Sequence, residues 1–428
     1  MNTTPLSRLD GLRYGMLGLP LAFVALPLYV LLPNHYARDF GVPLAALGLV
    51  LLGARLVDAL IDPLLGRLSD RLHARSPSAV LAFGAAAAAL LALGFGLLFF
   101  PQWLVDPARN GVLLATAAVL LVLTYAGYSA LSITHQAWGA MLGGDAAQRS
   151  RIVGWREGLG LVGVVIASVV PTLAGLPVMV GVFVLMLAAG WALWTQAPRP
   201  RTPARHAAAD LRLPFRRPAF RRLLAVFVLN GIASAIPATL VLFFVQDRLQ
   251  APESLQPAFL GSYFVCAALS IPVWLRLVPK FGLARTWLAG MALSIVVFAA
   301  ASGMGAGDAM PFLAVCALSG MALGTDLVLP GALLAGVLAD AGEPQHAGAY
   351  FGWWNFATKL NLALAAGLAL PLLGLAGYTP GARDAQALQA LTVAYCLLPC
   401  LLKLAAAAAL WQLLIRGHAD SLPLKVSP

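Results

Sequence analysis

The chain has 428 residues, of which 61% are hydrophobic and 11% charged, and its mean hydropathy is +0.85. Soluble globular proteins carry about 25% charged residues, so a soluble enzyme, a nucleic-acid binder and a secreted protein are excluded. The formal charge of +11 would suggest nucleic acid in a soluble chain, but loops held on the cytoplasmic side of a membrane account for excess arginine equally well.

A spanning helix takes about 20 apolar residues. In chain order, apolar runs predict spans at 13–33, 43–66, 78–101, 111–136, 152–174 and 176–195. The runs then stop, and Arg199, Arg201, Arg205, Arg212, Arg216 and Arg217 gather among prolines in what reads as a cytoplasmic linker, 196–218. Six more spans follow at 221–246, 257–279, 285–304, 310–338, 347–376 and 387–415. The expected architecture is an all-α membrane protein of twelve transmembrane helices, with six-helix bundles at 1–195 and 219–428.

With the N-terminus inside, the outer loops hold only Arg38, Arg109, Arg248 and Arg383 among the 28 Lys and Arg, a bias that places both termini in the cytoplasm. The first apolar stretch is long, contains Pro20 and Pro27 and has no small-residue cleavage site after it, so it is expected to be retained as a span. The Arg-rich, Ala/Leu-rich character suits a bacterial inner membrane. Cys266, Cys316, Cys396 and Cys400 all fall within spans and read as small packing groups.

The two halves echo each other. LGLVLLGARLVDALIDPLLGRLSDR from Leu47 has its counterpart in LGSYFVCAALSIPVWLRLVPKFGLAR from Leu260, and internal repeats of this kind mark secondary transporters. Informative residues are those where the copies differ. A charge at the centre of a spanning helix costs about 2.5 to 3.5 kcal/mol on insertion scales and is by default a functional candidate. Arg55, Asp58 and Asp62 lie within about 60° of one helix face at ~100° per residue, and the second copy has no acid there. One Arg offsets one of the two carboxylates. The remaining negative charge suits Na⁺, a proton or a movable cationic side chain, for which Lys359, one turn after Asn355, is the candidate. The alternative is a permanent Arg55/Asp58/Asp62/Lys359 network that ties the bundles together, a costly way to obtain packing.

The segment ARLVDALIDPLLGRLSD resembles the second helix of the glycoside-pentoside-hexuronide cation symporters of the major facilitator superfamily, typified by melibiose permease and related to the sodium-dependent lysophospholipid symporters. The resemblance implies the major facilitator fold. It also implies Na⁺, Li⁺ or H⁺ binding by paired aspartates at Asp58 and Asp62, and an eleventh-helix lysine at Lys359, in GAYFGWWNFATKLNLALAAG. Asp58 and Asp62 would be the metal ligands if the ion is sodium. Gly66, Leu68, Ser69, Asp70, Arg71 and Arg75 resemble the superfamily motif G-x-L-A/S-D-R/K-x-G-R-R/K, with His73 and Ala74 departing from it. There the motif is thought to latch one conformation; an ordinary basic inner loop is the simpler reading.

The family's sugar-binding aspartates in the first and fourth helices align with Ala22 and Thr134, so acceptors for galactoside hydroxyls are missing. The remaining cavity candidates are Thr134, His135, Trp138, Arg156, Glu157, Asp326, Tyr350, Trp353 and Asn355. Arg156 matches a substrate-contacting arginine of the family, and its guanidinium can hold a phosphate or carboxylate by paired hydrogen bonds; snorkelling to the cytoplasmic edge is the alternative. His135 reads as a hydrogen-bonded packing residue ahead of a proton relay. Asp326 is expected to be a second protonation site or a partner of Arg156.

These features predict a secondary active transporter, a Na⁺- or H⁺-coupled symporter of a small organic or amphipathic solute working by alternating access. Sugars and lysophospholipid-like anions are the rival substrates, and a proton-driven exporter is the alternative. Without a nucleophile–base pair, a metal cluster or a nucleotide-binding glycine loop in the sequence, no enzyme and no cofactor is expected. The expected partners are the small-molecule or lipid-like substrate and membrane lipids, with no nucleic acid, and the chain is expected to act as a monomer.

Overall fold

The computed structural model describes residues 6–107, 109–200, 210–379 and 381–416, which form helices and short connections with no strand among them. Arg201 and Arg205 of the expected linker lie outside the described residues.

The first apolar stretch, Arg8–Asp39, is broken into α1 (Arg8–Gly15), α2 (Gly18–Phe23), a π-helical turn at Pro27–Leu31 and α3 (Leu32–Asp39). Pro20 and Pro27 each lack an amide donor, so the regular bonding pattern cannot run through. Helix α4 (Leu44–Arg75) continues well past the predicted end at 66. Residues 67–75, expected as a loop, are therefore helical. Its stop is local: Ser76 turns extended and accepts a hydrogen bond from the Ala79 amide at 3.1 Å, with Pro77 opening α5 (Pro77–Phe99).

After α6 (Asn110–Met141) comes α7 (Ala146–Thr195), which holds two predicted spans in one run. The two are separated at Gly175, whose φ of 80° and ψ of 175° are non-helical, with Pro171 and Pro177 on either side. Then follow α8 (Leu213–Arg216), α9 (Pro218–Phe243), α10 (Gln256–Phe281), α11 (Leu283–Ala301), α12 (Ala309–Asp340), α13 (Ala347–Leu375), α14 (Ala385–Thr392) and α15 (Leu398–Leu410). Among the described residues nine helical segments are long and apolar enough to cross a membrane, one of them the doubled α7. The expected spans that fall outside these nine are α4, interrupted by Arg55, Asp58 and Asp62, and α13, which carries Lys359.

The chain forms two compact units: Met1–Pro214 with Leu338–Phe356, and Phe215–Val337 with Ala357–Pro428. The first unit is built around buried aromatic side chains including Phe23, Phe95, Phe183 and Trp194. It also includes the start of α13, because α4 and α13 meet there backbone to backbone. A methyl group at Gly66 would overlap the Gly348 carbonyl oxygen, and one at Gly352 would lie 2.7 Å from the Asp62 carbonyl oxygen. Only glycine permits that approach. The second unit has its own core, in which Phe244, Phe259, Phe312 and Tyr395 pack together.

Candidate functional site

In the first unit, α4 packs against α6 and buries both carboxylates of the predicted pair, Asp58 at 4% and Asp62 at 0% exposure. Ser129 of α6 donates its hydroxyl hydrogen to Asp58 Oδ1 at 2.8 Å. Arg55 does not simply lie along the carboxylates: its guanidinium carbon sits 3.8 Å over the ring of Tyr29, a cation–π contact. Two acids one turn apart, a hydroxyl donor and a nearby arginine held by an aromatic face are thus gathered on and beside α4. Lys359 lies on the part of α13 that belongs to the second unit. Ser129 was not singled out from sequence, although Thr124, Ser129, Ser132 and Thr134 mark α6 as carrying hydroxyls through an apolar span.

Asp70, Gly66, Arg71 and Arg75 are resolved into two roles. Asp70 is buried and accepts hydrogen bonds from the amides of Gly348 at 2.6 Å and Ala349 at 3.0 Å, the first turn of α13. Burial pushes its carboxyl well above the usual range, opposed by those two amide bonds. Arg71 and Arg75 are exposed. His73, which departs from the motif, is buried and donates from Nδ1 to the Ser69 carbonyl at 2.9 Å, with its ring 6.2 Å from Trp138. Burial lowers its pKa from 6.5 to about 4.

The remaining first-unit candidates sit mostly in the packing. His135 is fully buried, stacks on Tyr14 with ring centroids 4.3 Å apart and bonds the Tyr14 carbonyl through Nε2 at 2.9 Å. Trp138 is buried and donates to the Pro198 carbonyl at 2.9 Å. Thr134 is buried as well. Tyr350 donates to Glu343 Oε2 at 2.6 Å, and Trp353 donates to the Leu211 carbonyl at 2.8 Å. Asn355 accepts from Gln136 Nε2 at 3.4 Å. Arg156 directs Nε and Nη2 at one oxygen of its neighbour Glu157, at 3.0 and 2.5 Å. That pairing largely neutralises the cationic corner expected of Arg156.

Asp326 has a different partner from the one expected. Lys403 of α15 donates to its Oδ2 at 2.9 Å, and Ser234 donates to the same oxygen at 3.1 Å. Asn230 and Trp287 donate to Oδ1 at 3.0 and 2.8 Å. Lys403 also donates to Asn230 Oδ1 at 2.9 Å. All of these residues belong to the second unit, so Asp326 is held within that bundle while Arg156 pairs with Glu157 in the first. Lys403 lies inside a span, a position where any ionisable residue is a functional candidate, yet it was not selected from sequence because its acid is 77 residues away and on another helix.

The family described as MFS/sugar transport protein matches residues 12–416, and the chain belongs to that family. The inner membrane symporter YicJ of Escherichia coli (strain K12) is 26% identical over 289 residues, 62% of this chain and 60% of that protein. The chain therefore spans about three fifths of the length of this curated relative. A bacterial homologue of the iron transporter ferroportin, in an outward-facing state with soaked iron, superposes with a TM-score of 0.71 at 16% identity, over 95% of this chain and 99% of that one. The E. coli transporter FucP in its outward conformation gives 0.63 at 15% identity, over 92% and 97%. These likenesses establish the all-helical major facilitator fold.

Proposed function

We propose that this chain is a secondary active transporter of the inner membrane, a symporter that couples the movement of a small organic or amphipathic solute to Na⁺ or H⁺ through Asp58 and Asp62. The observation that carries the reading is the burial of two carboxylates one helical turn apart on α4, with Ser129 bonded to one and the Arg55 guanidinium stacked on Tyr29. Two carboxylates one turn apart repel when both are ionised, and a bound cation or proton relieves that repulsion, which is the property a coupling site needs. The relative named as an inner membrane symporter supports the same reading.

The arrangement favours no galactoside-type site: Thr134, at the fourth-helix acidic position of that pattern, is buried in the helix packing. Lysophospholipid-like anions remain the rival to sugars, and a proton-driven exporter the rival to symport. The test is a melting curve of the purified protein in lipid nanodiscs, titrated with NaCl against choline chloride and, separately, with pH. A cation that binds the folded state raises its melting temperature. The wild type is expected to respond to Na⁺ or to pH, and Asp62→Asn to lose that response. An Asp62→Asn protein with the wild-type response to both would remove the coupling assignment.

A further inference from the structure

The second unit contains a cavity of about 200 Å³ inside its own helix bundle, walled by α9, α10, α11, α12 and the segment 393–403. Most of the wall is apolar and aromatic, with Phe259, Phe264, Phe298 and Tyr395 among its members. The charged residues lining it are Asp326 and Lys403. The acids proposed for coupling lie on α4, in the other unit, and of the candidate site residues read from the sequence only Asp326 lines this cavity.

The hydrogen-bond inventory at its polar end is unequal. Asp326 is saturated: each carboxylate oxygen holds two donors, three of the four being the neutral groups of Asn230, Trp287 and Ser234. Its charge therefore does not depend on Lys403 alone. An ammonium carries three donors, and among the described residues Lys403 has two acceptors, Asn230 Oδ1 and Asp326 Oδ2. One N–H of a cation that is 5% exposed is left over at the cavity wall. The Ser294 hydroxyl also lines the cavity, and it bonds to none of the described residues. A cationic donor and a hydroxyl donor at the end of an aromatic chamber suit an acceptor carrying negative charge on an apolar body. A cationic ligand would face an acid whose lone pairs are already taken.

We propose that this cavity binds an organic monoanion, its anionic head on Lys403 and Ser294 and its apolar body among Phe259, Phe264 and Phe298. The proposal deepens the transporter reading by naming its substrate class. It also moves the anion-binding role expected of Arg156 to Lys403. Ligand pockets for drug-sized molecules run to about 300–1,000 Å³, so this one takes a small aryl or alkyl acid, or the head end of a single-chain lipid acid.

The experiment is isothermal titration of the whole protein in nanodiscs, in NaCl, with 3-phenylpropionate, 3-phenyl-1-propanol and 3-phenylpropylamine, and with laurate as the single-chain arm. The carboxylates are expected to bind at least about tenfold tighter than the alcohol, with the amine weakest. The tighter of phenylpropionate and laurate identifies the source. Lys403→Gln alone leaves a buried acid without its cation and can unfold the bundle, so the informative variant is Lys403→Gln with Asp326→Asn, a neutral pair of similar shape. It is expected to bind anion and alcohol alike. Asp326→Asn alone keeps the ammonium and is expected to bind the anion tighter than wild type, which a purely structural ion pair would not produce. Anion binding that is absent at millimolar concentration, matched by the amine, or unchanged in the double variant overturns the proposal. Binding at equilibrium is read independently of coupling. If Asp62→Asn keeps cation dependence while anion binding still follows Lys403, the symport reading falls and this one stands.

Discussion

Asp70 receives the amide hydrogen of Gly348 on its Oδ1 across 278 positions of sequence, and its other oxygen takes the amide of Ala349. The acid of α4 thereby serves as the N-terminal acceptor for α13, supplying from a distant helix what a Ser or Asp supplies from within the chain. Asp70→Ala leaves two buried donors without acceptors, so a loss of about 2 kcal/mol is expected. The check is the melting temperature of the variant against wild type, and an unchanged value would mean that other groups satisfy those amides.

The glycines of the same crossing act by absence of volume. Gly66→Ala sets a methyl group against the Gly348 carbonyl, where both atoms belong to backbone and neither can rotate away. Overpacking of this kind costs about 1–3 kcal/mol. Gly48 and Gly53 lie on the same helix with open space around the position of an added carbon, and alanine there is expected to be neutral or to stabilise by up to about 1 kcal/mol. Comparing melting temperatures of the three alanine variants separates close packing from helix propensity. Equal effects at 48, 53 and 66 would refute the crossing argument.

Most of the spans were legible because a hydrocarbon core demands long apolar runs, and the break between the fifth and sixth falls at Gly175, where the sequence puts glycine between two prolines. The acids at 58 and 62 were legible for the same reason: charge in such a run is conspicuous. Partnerships were not. Asp326 with Lys403, and Asp70 with Gly348, join helices far apart in sequence, and no periodicity within one helix encodes a contact with another. The pairing of Arg156 with the adjacent Glu157 is not legible either, because it depends on how the two side chains turn together. The length of α4 was misjudged because hydropathy ends a span where charges begin, whereas helical hydrogen bonding continues to Arg75.

His73 makes stability depend on pH. It is 4% exposed, and burial brings its pKa to about 4 from an ordinary 6.5. Between these values the unfolded chain binds the proton and the folded one does not, so stability rises with pH through that window. The contribution is fully present above about pH 6.5 and is lost as pH falls toward 4; at 1.36 kcal/mol per unit it amounts to about 3 kcal/mol. His73→Gln retains a donor for the Ser69 carbonyl and has nothing to titrate. Melting temperatures measured from pH 7 to 4.5 are expected to fall more steeply in the wild type than in the variant, and parallel curves would contradict the assignment.

Ser129 bears directly on the coupling reading. Its hydroxyl is 2% exposed and gives its hydrogen to Asp58 Oδ1. A charge-assisted hydrogen bond fixes the position of a carboxylate oxygen, so Ser129→Ala is expected to leave Asp58 less well placed and to weaken Na⁺ binding at the site. The loss of one such bond is worth about 1 kcal/mol, a several-fold change in an equilibrium constant. In the nanodisc titration the half-maximal Na⁺ concentration should therefore rise several-fold. Ser129→Thr keeps the hydroxyl and serves as the control, expected to titrate near wild type. A Ser129→Ala protein with an unmoved Na⁺ midpoint would show that Asp58 is positioned by other groups and that the hydroxyl serves only the packing of α6.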